Sequence, residues 1–391
     1  MRLEDFYTLF TREGQWALES AMAFAPREKD FLPTFQMLAK RFPRETARAA
    51  LTTAILRGEA ESKFPQAEKM YFTREALEQA TPWEVAVQRA KRYQGEGWIF
   101  DLGCSIGGDA VPLSRSAAVI GVELDPLRAA MARQNALALQ ADVEVINADI
   151  LSLPLPLSPH DAVFFDPARR ADSKRAFSVD QYQPRLAIVR EWLELTDGVG
   201  VKISPGVKLA QLADYDCEVE FVSLSGALKE AALWFGRFKS AERRATLLSD
   251  GQTHTLTADT QPELPLSEPR AYLYEPDPAV LRAGLVETVG AQLDAAQLDP
   301  QIAYLTADGL HRTPFARVWP VQGWMPFQLK NLRAALRERN IGQVTVKKRG
   351  SPLLPEDLIQ QLRLEGEEHL TVFLTQLDGA PIVILAGDEL H

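Results

Sequence analysis

The chain has 391 residues, of which 46% are hydrophobic and 25% charged, a composition typical of a globular protein with two or three domains. No apolar run approaches the ~20 residues of a membrane span, the first residues lack a signal-peptide pattern, and the two cysteines and five histidines show no metal-ligand spacing. We therefore expect a cytoplasmic protein without membrane or metal association, and its net charge of −10 weakly disfavours a nucleic-acid partner.

The first quarter of the chain is predicted to be helical. Apolar residues recur at three- and four-residue spacing, for example in "RETARAALTTAILRGEAESKF". Thr73 is predicted to cap one helix, and Thr81 is predicted to cap the next, with Pro82 as its first residue. We therefore expect residues 1–94 to form a helical N-terminal domain.

Short apolar strands alternate with helical stretches from Trp98 onward. The strand candidates are WIFDLG, AAVIGVELD, VEVINADI, DAVFFDP, GVGVKISPG, CEVEFVSLSG and EAALWFGRF. Alternation of this kind predicts an α/β fold, in which a mostly parallel sheet of seven strands is covered by helices on both faces. We assign this domain to residues 95–256.

The last third of the chain is predicted to be a separate module. The segment 257–270 is rich in proline and acidic residues and is predicted to be a linker. Residues 265–391 combine helical and strand patterns and end in two apolar strands joined by Asp378-Gly379, which predicts a hairpin. We therefore expect a small α+β domain at residues 265–391.

A basic segment interrupts this acidic chain. Between Arg312 and Arg349 there are nine basic residues and one acidic residue, Glu338. The segment predicts a localised site for a polyanion, with contacts from Lys330, Arg333, Arg337, Lys347, Lys348 and Arg349. The aromatic residues Phe315, Trp319, Trp324 and Phe327 lie among these cations, as in proteins that bind single-stranded nucleic acids. Alternatively, the aromatic rings form the core of the small domain and the cations a solvated helix face.

Four features fall at the carboxyl ends of successive predicted strands, where open α/β sheets bind nucleotides. The turn "DLGCSIGGD" (101–109) contains glycines, which let the backbone turn tightly and approach a ligand. Glu123, twenty residues after Gly103, can accept hydrogen bonds from both ribose hydroxyls. Asp149 is placed to accept a hydrogen bond from an adenine amino group, and Asp166 ends the fourth strand.

Each acidic residue taken alone has a simpler explanation. An acidic residue after a strand is more often a helix cap or a loop residue than a ligand, and we predict caps at Asp109 and Asp125. Capping does not require acidic residues at the ends of four successive strands. The whole set therefore favours a nucleotide-like ligand.

The order of these features resembles the class I S-adenosylmethionine-dependent methyltransferases, whose core is Rossmann-like. The resemblance implies S-adenosyl-L-methionine as cofactor, with its methionine part at Asp101, Gly103, Ser105 and Gly107, its ribose at Glu123 and its adenine at Asp149. It places Asp166 at the reacting centre. Ser105 stands where the family usually has a second glycine, and serine is small enough that we expect cofactor binding to survive.

A narrower resemblance covers nearly the whole chain. The segments "DPARR", "VKISPGV", "SGALKEAALWFG" and "VKKRGSPLLPEDLIQQLRLEGEEHLTVFL" are similar to a bacterial branch of these enzymes with a C-terminal THUMP-like domain. Genuine THUMP domains present structured RNA to attached modifying enzymes, so the similarity implies RNA as a partner. The core and its upstream helix also resemble the trimethylguanosine synthases, which implies that Thr81 lies against the cofactor.

The reaction needs a nucleophile held in line with a methyl group rather than strong acid–base help. A carboxylate can orient an amino group and favour the positive charge that develops on it, and we assign this role to Asp166, with Pro167 setting the turn. The alternative is that Asp166 only caps the following loop.

Four cations in that loop, Arg169, Arg170, Lys174 and Arg175, suit a phosphate backbone, unless they are solvated or paired with acidic residues. Arg169 can also stack on a base, replacing the proline and aromatic ring that amino-methylating enzymes place after the acid-proline pair.

These inferences favour an S-adenosylmethionine-dependent methyltransferase that acts on a base nitrogen of tRNA or rRNA. The net acidity favours a second hypothesis, a methyltransferase of a small molecule or a protein. A third is a non-catalytic RNA-binding protein with a vestigial cofactor fold. An NAD-dependent dehydrogenase explains the glycine turn and Glu123, but not Asp101, Asp149 and the Asp166-Pro167 turn together.

Overall fold

The computed structural model describes residues 1–169, 179 and 182–390. It divides into two compact units, which are considered separately below. The first unit comprises Met1–Glu218 and Glu230–Ser240, and the second comprises Val219–Lys229 and Ala241–His391.

The first unit begins with helices, as the three- and four-residue spacing predicts. The side chain of Thr11 caps the second helix, and Thr73 caps the fifth by accepting a hydrogen bond from the backbone N–H of Ala76. The helices share an apolar core with Ile106 and Met131 from the sheet region that follows. Their bounds are α1 Leu3–Thr8, α2 Arg12–Met22, α3 Phe31–Leu38, α4 Arg44–Ala60, α5 Arg74–Gln79 and α6 Trp83–Ala90.

All seven predicted strands are present, and three helices accompany them in the part of this region that the structure describes. In chain order, the elements are β1 Trp98–Leu102, α7 Ala110–Leu113, β2 Ala118–Glu123, α8 Pro126–Ala138, β3 Val143–Asn147, β4 Ala162–Phe165, β5 Ala168–Arg169, β6 Tyr182–Gln183, α9 Val189–Trp192, β7 Gly198–Ile203, β8 Cys217–Leu224 and β9 Ala227–Gly236. Strands β5 and β6 form a separate two-stranded ribbon, and the other strands up to β7 belong to the main sheet.

The strand order positions the site. Within the first unit the order is β9-β7-β4-β1-β2-β3, with β9 antiparallel to β7 and the other neighbours parallel. Leu102 pairs with both Val122 and Phe165, so β1, β2 and β4 end at the same edge. This arrangement brings the turns after the three strands together.

The second unit is a mixed α/β structure. A hairpin of β10 (Arg243–Ser249) and β11 (Gln252–Thr257) precedes a segment without helix or strand, and this segment lies within the second unit. The remaining elements are β12 Tyr272–Pro276, α10 Pro278–Ala283, α11 Val286–Gln292, β13 Ala296–Asp299, β14 Ile302–Ala307, β15 Ala316–Pro326, α12 Leu329–Glu338, β16 Ile341–Lys348, α13 Pro355–Leu362, β17 Glu368–Leu377 and β18 Ala380–Ala386.

Seven of these strands form one sheet in the order β13-β14-β12-β15-β18-β17-β16. Strands β17 and β18 form the predicted hairpin, and both turn residues have positive φ, 47° at Asp378 and 74° at Gly379. An aspartate followed by glycine adopts this backbone readily, which explains why the dipeptide predicted the turn.

Among the described residues, every helix is too short or too polar to cross a bilayer. In the same part of the chain, no group of three His, Cys, Asp or Glu side chains is arranged to hold a metal ion. Cys104 and Cys217 are both buried.

Candidate functional site

The glycine-rich turn after β1 has a left-handed backbone that approaches its neighbours closely. Gly103 and Gly107 have φ values of +89° and +83°. A Cβ on Gly103 would lie 3.1 Å from the carbonyl oxygen of Asp166, and one on Gly107 would lie 3.5 Å from the Cα of Ala132. Ser105 also has a positive φ, 49°, so the serine follows the left-handed path that glycine adopts easily.

Asp101 is a fully buried acidic residue at the start of this turn. Neither of its carboxylate oxygens has a hydrogen-bond partner among the described residues. Burial raises the pKa of Asp101 well above its usual range, and the nearby charges of Asp109 and Asp166 raise it further. A buried carboxyl group without donors costs free energy, and a ligand that supplies a donor relieves this cost. Because both carboxylate oxygens of Asp101 lack a donor among the described residues, they fit the ammonium group of S-adenosylmethionine.

Glu123 lies at the end of β2 and is held by backbone donors. Its Oε2 accepts a hydrogen bond from the N–H of Ser105 at 2.9 Å, and its Oε1 accepts one from Asp125 at 2.8 Å. Each carboxylate oxygen has a second lone pair, so the oriented group can still accept ribose hydroxyls. Glu123 therefore also suits the predicted cofactor.

Asp149 follows the end of β3, which a side chain links to the end of β2. The Nδ2 of Asn147 donates to the backbone oxygens of Glu123 at 2.8 Å and Leu124 at 2.9 Å, which ties the turn after β3 to the turn after β2. The Oδ1 of Asp149 accepts a hydrogen bond from the N–H of Leu151 at 2.9 Å, and the side chain is exposed. Its Oδ2 makes no hydrogen bond with a described residue and suits a polar group at the edge of an adenine ring.

Asp166 follows β4 and forms an ion pair that the sequence did not predict. Lys202, on the neighbouring strand β7, donates from Nζ to Oδ2 of Asp166 at 2.6 Å. Burial alone would lower the pKa of Lys202, but the carboxylates of Asp166 and Asp109 raise it above its usual value. The lysine is therefore charged at neutral pH and fixes one oxygen of the Asp166 carboxylate.

A buried ionic network lies beside the glycine-rich turn. The guanidinium of Arg89, from α6, binds Asp109 at 2.6 Å and Glu230 of β9 at 2.6 Å, and it lies 4.7 Å from the ring centroid of Phe164. Burial would lower the pKa of Arg89, but the two carboxylates raise it above its usual value. Burial would raise the pKa of Asp109, but the positive charge of Arg89 has the larger effect and lowers that pKa. The network fixes the end of the turn to the preceding helix and to the sheet.

This network corrects two predicted caps. Asp109 occupies the N-cap position of α7, but its side chain makes no capping bond because it binds Arg89. Helix α6 begins at Trp83, with Pro82 rather than Thr81 in the cap position. The hydroxyl of Thr81 lies 3.4 Å from Oδ2 of Asp109. Asp125 does cap α8, by accepting a hydrogen bond from the N–H of Arg128.

Asn135 supports the turn from the other side. Its amide group is fully buried, and its Nδ2 donates to the backbone oxygens of Ile106 at 2.8 Å and Tyr71 at 3.0 Å. Its Oδ1 accepts a hydrogen bond from the N–H of Tyr71 at 2.7 Å. The residue therefore joins α8, the glycine-rich turn and the segment before α5.

The structure describes only some of the other residues that we predicted near the reacting centre. Pro167 is buried directly after Asp166, and the backbone of Arg169 pairs with Tyr182 in the β5–β6 ribbon. Arg170, Lys174 and Arg175 lie outside the described residues. The first unit thus brings together Asp101, Gly103, Ser105, Gly107, Glu123, Asp149, Asp166 and Thr81 around the edge where β1, β2 and β4 end.

The C-terminal cations belong to the second unit, and several are engaged there. Lys347 and Arg317 bind Oε2 of Glu275 at 2.7 and 2.8 Å, and Arg349 donates to the backbone oxygen of Ala303 at 2.9 Å. Arg333 donates to the oxygen of Gln361 at 2.6 Å and Arg337 to the oxygen of Arg363 at 3.3 Å. The side chains of Lys330, Arg337 and Lys348 are exposed.

The aromatic residues of this segment belong largely to the core. Trp319 is buried beneath the cation of Lys347, whose Nζ lies 4.3 Å from its ring centroid. Trp324 and Phe327 pack against the two apolar cores of the second unit. The prediction that these rings form a stacking platform is therefore wrong for Trp319, and the alternative, a core role, applies.

Sequence reasoning missed four polar residues of the site, Lys202, Arg89, Glu230 and Asn135. Two of them left a signal: Lys202 is the only charged residue in the apolar strand "GVGVKI", and Asn135 lies on the alanine-rich, buried face of α8. Arg89 and Glu230 are 141 residues apart, so no local pattern connects them.

Comparisons with known proteins agree with this geometry. Residues 99–189 match the family described as a methyltransferase domain, residues 316–388 the THUMP domain-like family, and residues 2–60 a domain of unknown function. An uncharacterized S-adenosylmethionine-dependent methyltransferase of Mycobacterium tuberculosis, found in strains H37Rv and CDC 1551, is 36% identical over 312 residues, which cover 78% of this chain and 84% of the relative. A crystal structure assigned to a methyltransferase from Porphyromonas gingivalis W83 covers 92% of this chain and 98% of its own, with 23% identity and a TM-score of 0.77.

The fold and the turns at its sheet edge define a class I, Rossmann-like enzyme with a helical N-terminal region and a C-terminal sheet domain, as predicted. The chain belongs to the S-adenosylmethionine-dependent methyltransferases. Its cofactor is S-adenosyl-L-methionine, and the predicted enzyme class is confirmed. These similarities argue against an NAD-dependent dehydrogenase and against a non-catalytic RNA-binding protein.

Proposed function

We propose that this cytoplasmic methyltransferase modifies a base nitrogen of RNA, either tRNA or rRNA. The observation that carries the proposal is the position of Asp166. Its backbone oxygen lies against Gly103 of the cofactor turn, and its carboxylate is fixed by Lys202. A fixed carboxylate beside a methyl-transfer site is suited to an amino nucleophile, because it accepts the N–H and orients the lone pair.

S-adenosyl-L-methionine, when bound, supplies an electrophilic methyl group. We assign the methionine end to Asp101, Gly103, Ser105 and Gly107, the ribose to Glu123 and the adenine to Asp149. We also assign Thr81 to the cofactor site; its hydroxyl lies 3.4 Å from Oδ2 of Asp109, at the end of the turn.

In the proposed mechanism, Oδ1 of Asp166 accepts a hydrogen bond from the substrate N–H, while Oδ2 stays bound to Lys202. The Asp166 carboxylate, held by Lys202, would stabilise the positive charge that develops on the nitrogen as it accepts the methyl group. The extra proton on nitrogen then leaves to solvent. Pro167 holds the turn that aims the carboxylate.

Three features support RNA as the substrate. Residues 316–388 are similar to a THUMP domain, and THUMP domains are associated with RNA modification. Lys330, Arg337 and Lys348 present exposed cations in that region. Arg169, with Arg170, Lys174 and Arg175, follows the acid-proline turn and can contact phosphates or stack on a base.

One observation favours the second candidate, a methyltransferase of a small molecule or protein. Glu275 pairs with Arg317 and Lys347 and lies 3.9 Å from Arg349, so one carboxylate offsets part of the charge of three cations in the basic segment. This leaves fewer cations for a polyanion than the sequence alone indicates.

The test is mass spectrometry of nucleosides from total RNA of cells with and without the gene. We expect one methylated nucleoside to disappear without the gene and to return with the wild-type gene, but not with an Asp166→Asn variant. RNA isolated from the deletion strain should also accept labelled methyl groups from the purified enzyme. Unchanged nucleosides together with no transfer to this RNA would refute the RNA assignment and favour the second candidate.

A further inference from the structure

The N-terminal helical region carries a cationic surface that the proposed mechanism does not use. Between Lys40 and Arg48 the sequence has four basic residues and one acidic residue, Glu45. This surface lies within residues 2–60, which match only a domain of unknown function. We call the exposed side chains of Trp16, Arg41, Arg44 and Arg48 the arginine face.

The three arginines of this face lie on aromatic rings rather than on carboxylates. The guanidinium carbon of Arg41 is 5.1 Å from the ring centroid of Trp16. Those of Arg44 and Arg48 are 5.3 and 5.7 Å from the ring centroid of Phe35. Among the described residues, none of the three forms an ion pair or a side-chain hydrogen bond with an acidic residue. Their N–H groups are therefore available to a ligand.

Two arginines of the arginine face lie at the end of α4 where the helix dipole disfavours cations. Arg44 and Arg48 occupy the first two turns of α4, a 17-residue helix whose N-terminal end is positive. Cations there are disfavoured by the helix dipole, so the helix and the arginines together create a positive potential. The adjoining Trp16 is 54% exposed, which is unusual for so large an aromatic side chain.

We infer that the arginine face is a docking surface for the sugar-phosphate backbone of the RNA substrate, with Trp16 available to stack on an unpaired base. Guanidinium groups that lie near aromatic rings can still donate their N–H groups to phosphate oxygens, and exposed aromatic rings stack on bases. The inference rests on the proposed function, because it takes its ligand from that proposal. It contrasts with the basic segment of the second unit, where Glu275 neutralises part of the charge.

The test compares two variants of the full-length protein that change charge equally. The first is Arg41→Gln/Arg44→Gln/Arg48→Gln. The control is Lys29→Gln/Lys69→Gln/Lys91→Gln, which alters exposed lysines that contact no aromatic ring among the described residues. Binding to bulk tRNA and to a polyglutamate peptide is measured by fluorescence anisotropy at several salt concentrations, and cofactor affinity by calorimetry.

We expect the arginine variant to bind tRNA at least about tenfold more weakly near 0.1 M salt, with the slope of log K against log salt reduced by roughly two to three. The lysine variant should stay close to wild type, and both variants should retain cofactor affinity. Trp16→Leu, which keeps an apolar side chain, should weaken binding without changing the salt slope.

An equal loss of tRNA affinity in both triple variants would show a general effect of charge. It would overturn the proposed role of the arginine face but leave the proposed function intact. Binding of polyglutamate with the same dependence on the arginines would overturn the assignment to RNA and indicate an acidic protein partner. If wild-type protein neither binds nor methylates any RNA, the proposed function itself fails, and this inference fails with it.

Discussion

Nζ of Lys202 lies 2.6 Å from Oδ2 of Asp166, which joins strand β7 to the turn after the neighbouring strand β4 across 36 residues of sequence. The lysine is the only cation that contacts this acidic residue among the described residues. Its charge also opposes the raised pKa of Asp101, so a single side chain acts on both the proposed catalytic carboxylate and the cofactor turn.

Asp166→Asn should reduce kcat for methyl transfer by at least about 100-fold, because the amide cannot stabilise the positive charge that develops on nitrogen. Cofactor affinity, measured by calorimetry, should change less than about threefold, because the Asp166 side chain is not among the proposed cofactor ligands. Methyl transfer is measured with labelled cofactor and RNA from the deletion strain. Retained transfer would remove Asp166 from the mechanism and leave it as a loop residue.

Lys202→Met, which keeps the length of the side chain, should lower kcat about 10- to 100-fold with a smaller change in KM for RNA, because the Asp166 carboxylate loses its fixed orientation. Lys202→Arg should restore part of the activity. The pH at which cofactor affinity is half-maximal should also move upward in Lys202→Met, since the lysine no longer lowers the pKa of Asp101. A loss of folding alone would not produce this pH shift in the remaining folded protein.

Cofactor affinity should increase as pH rises through the pKa of Asp101. That pKa is raised in the free enzyme, chiefly by burial, and a bound ammonium group favours the ionised form. Binding should therefore release up to about one proton, which calorimetry in buffers of different ionisation enthalpy measures directly. Asp101→Asn should bind with lower affinity and without this proton release; an unchanged proton count would mean that Asp101 does not titrate on binding.

Arg89→Met should lower the free energy of unfolding by about 3–5 kcal/mol, because it leaves Asp109 and Glu230 as buried, uncompensated carboxylates. Adding Asp109→Asn and Glu230→Gln to the same variant should recover much of this loss. Arg133→Met, which removes an exposed hydrogen bond to Val145, should cost less than about 1.5 kcal/mol. Denaturant unfolding measures the stability of all three variants. Equal losses of stability in Arg89→Met and Arg133→Met would contradict a special role for the buried network.

Gly103→Ala should sharply reduce cofactor binding and transfer, since the new Cβ would lie 3.1 Å from the Asp166 carbonyl oxygen and φ is +89°. Ser105→Gly should leave cofactor affinity within about threefold and add up to about 1 kcal/mol of stability, because Ser105 already has a left-handed backbone that glycine adopts without strain. Calorimetry and denaturant unfolding check the pair. Tolerance of Gly103→Ala would show that the turn moves away from Asp166.

The strands and the acidic residues at their ends were predictable because they depend on local patterns. Apolar runs ending in a glycine turn or an acidic residue identify β1, β2 and β4, and the parallel pairing of Leu102 with Val122 and Phe165 brings their ends to one edge. The caps were predicted less well. Asp109 and Thr81 have the residue types of caps, but a cation from another helix binds Asp109 more favourably than a backbone N–H does.

The sequence by itself determined the α/β fold, the cofactor turn and the family, because these follow from the periodicity of apolar residues and from short motifs. Only the tertiary structure decided which charges compensate one another. Arg89 meets Glu230, Lys202 meets Asp166 and Lys347 meets Glu275 across 141, 36 and 72 residues. A charge pair needs only proximity in space and imposes no spacing along the chain, so its partners become visible when the chain has folded.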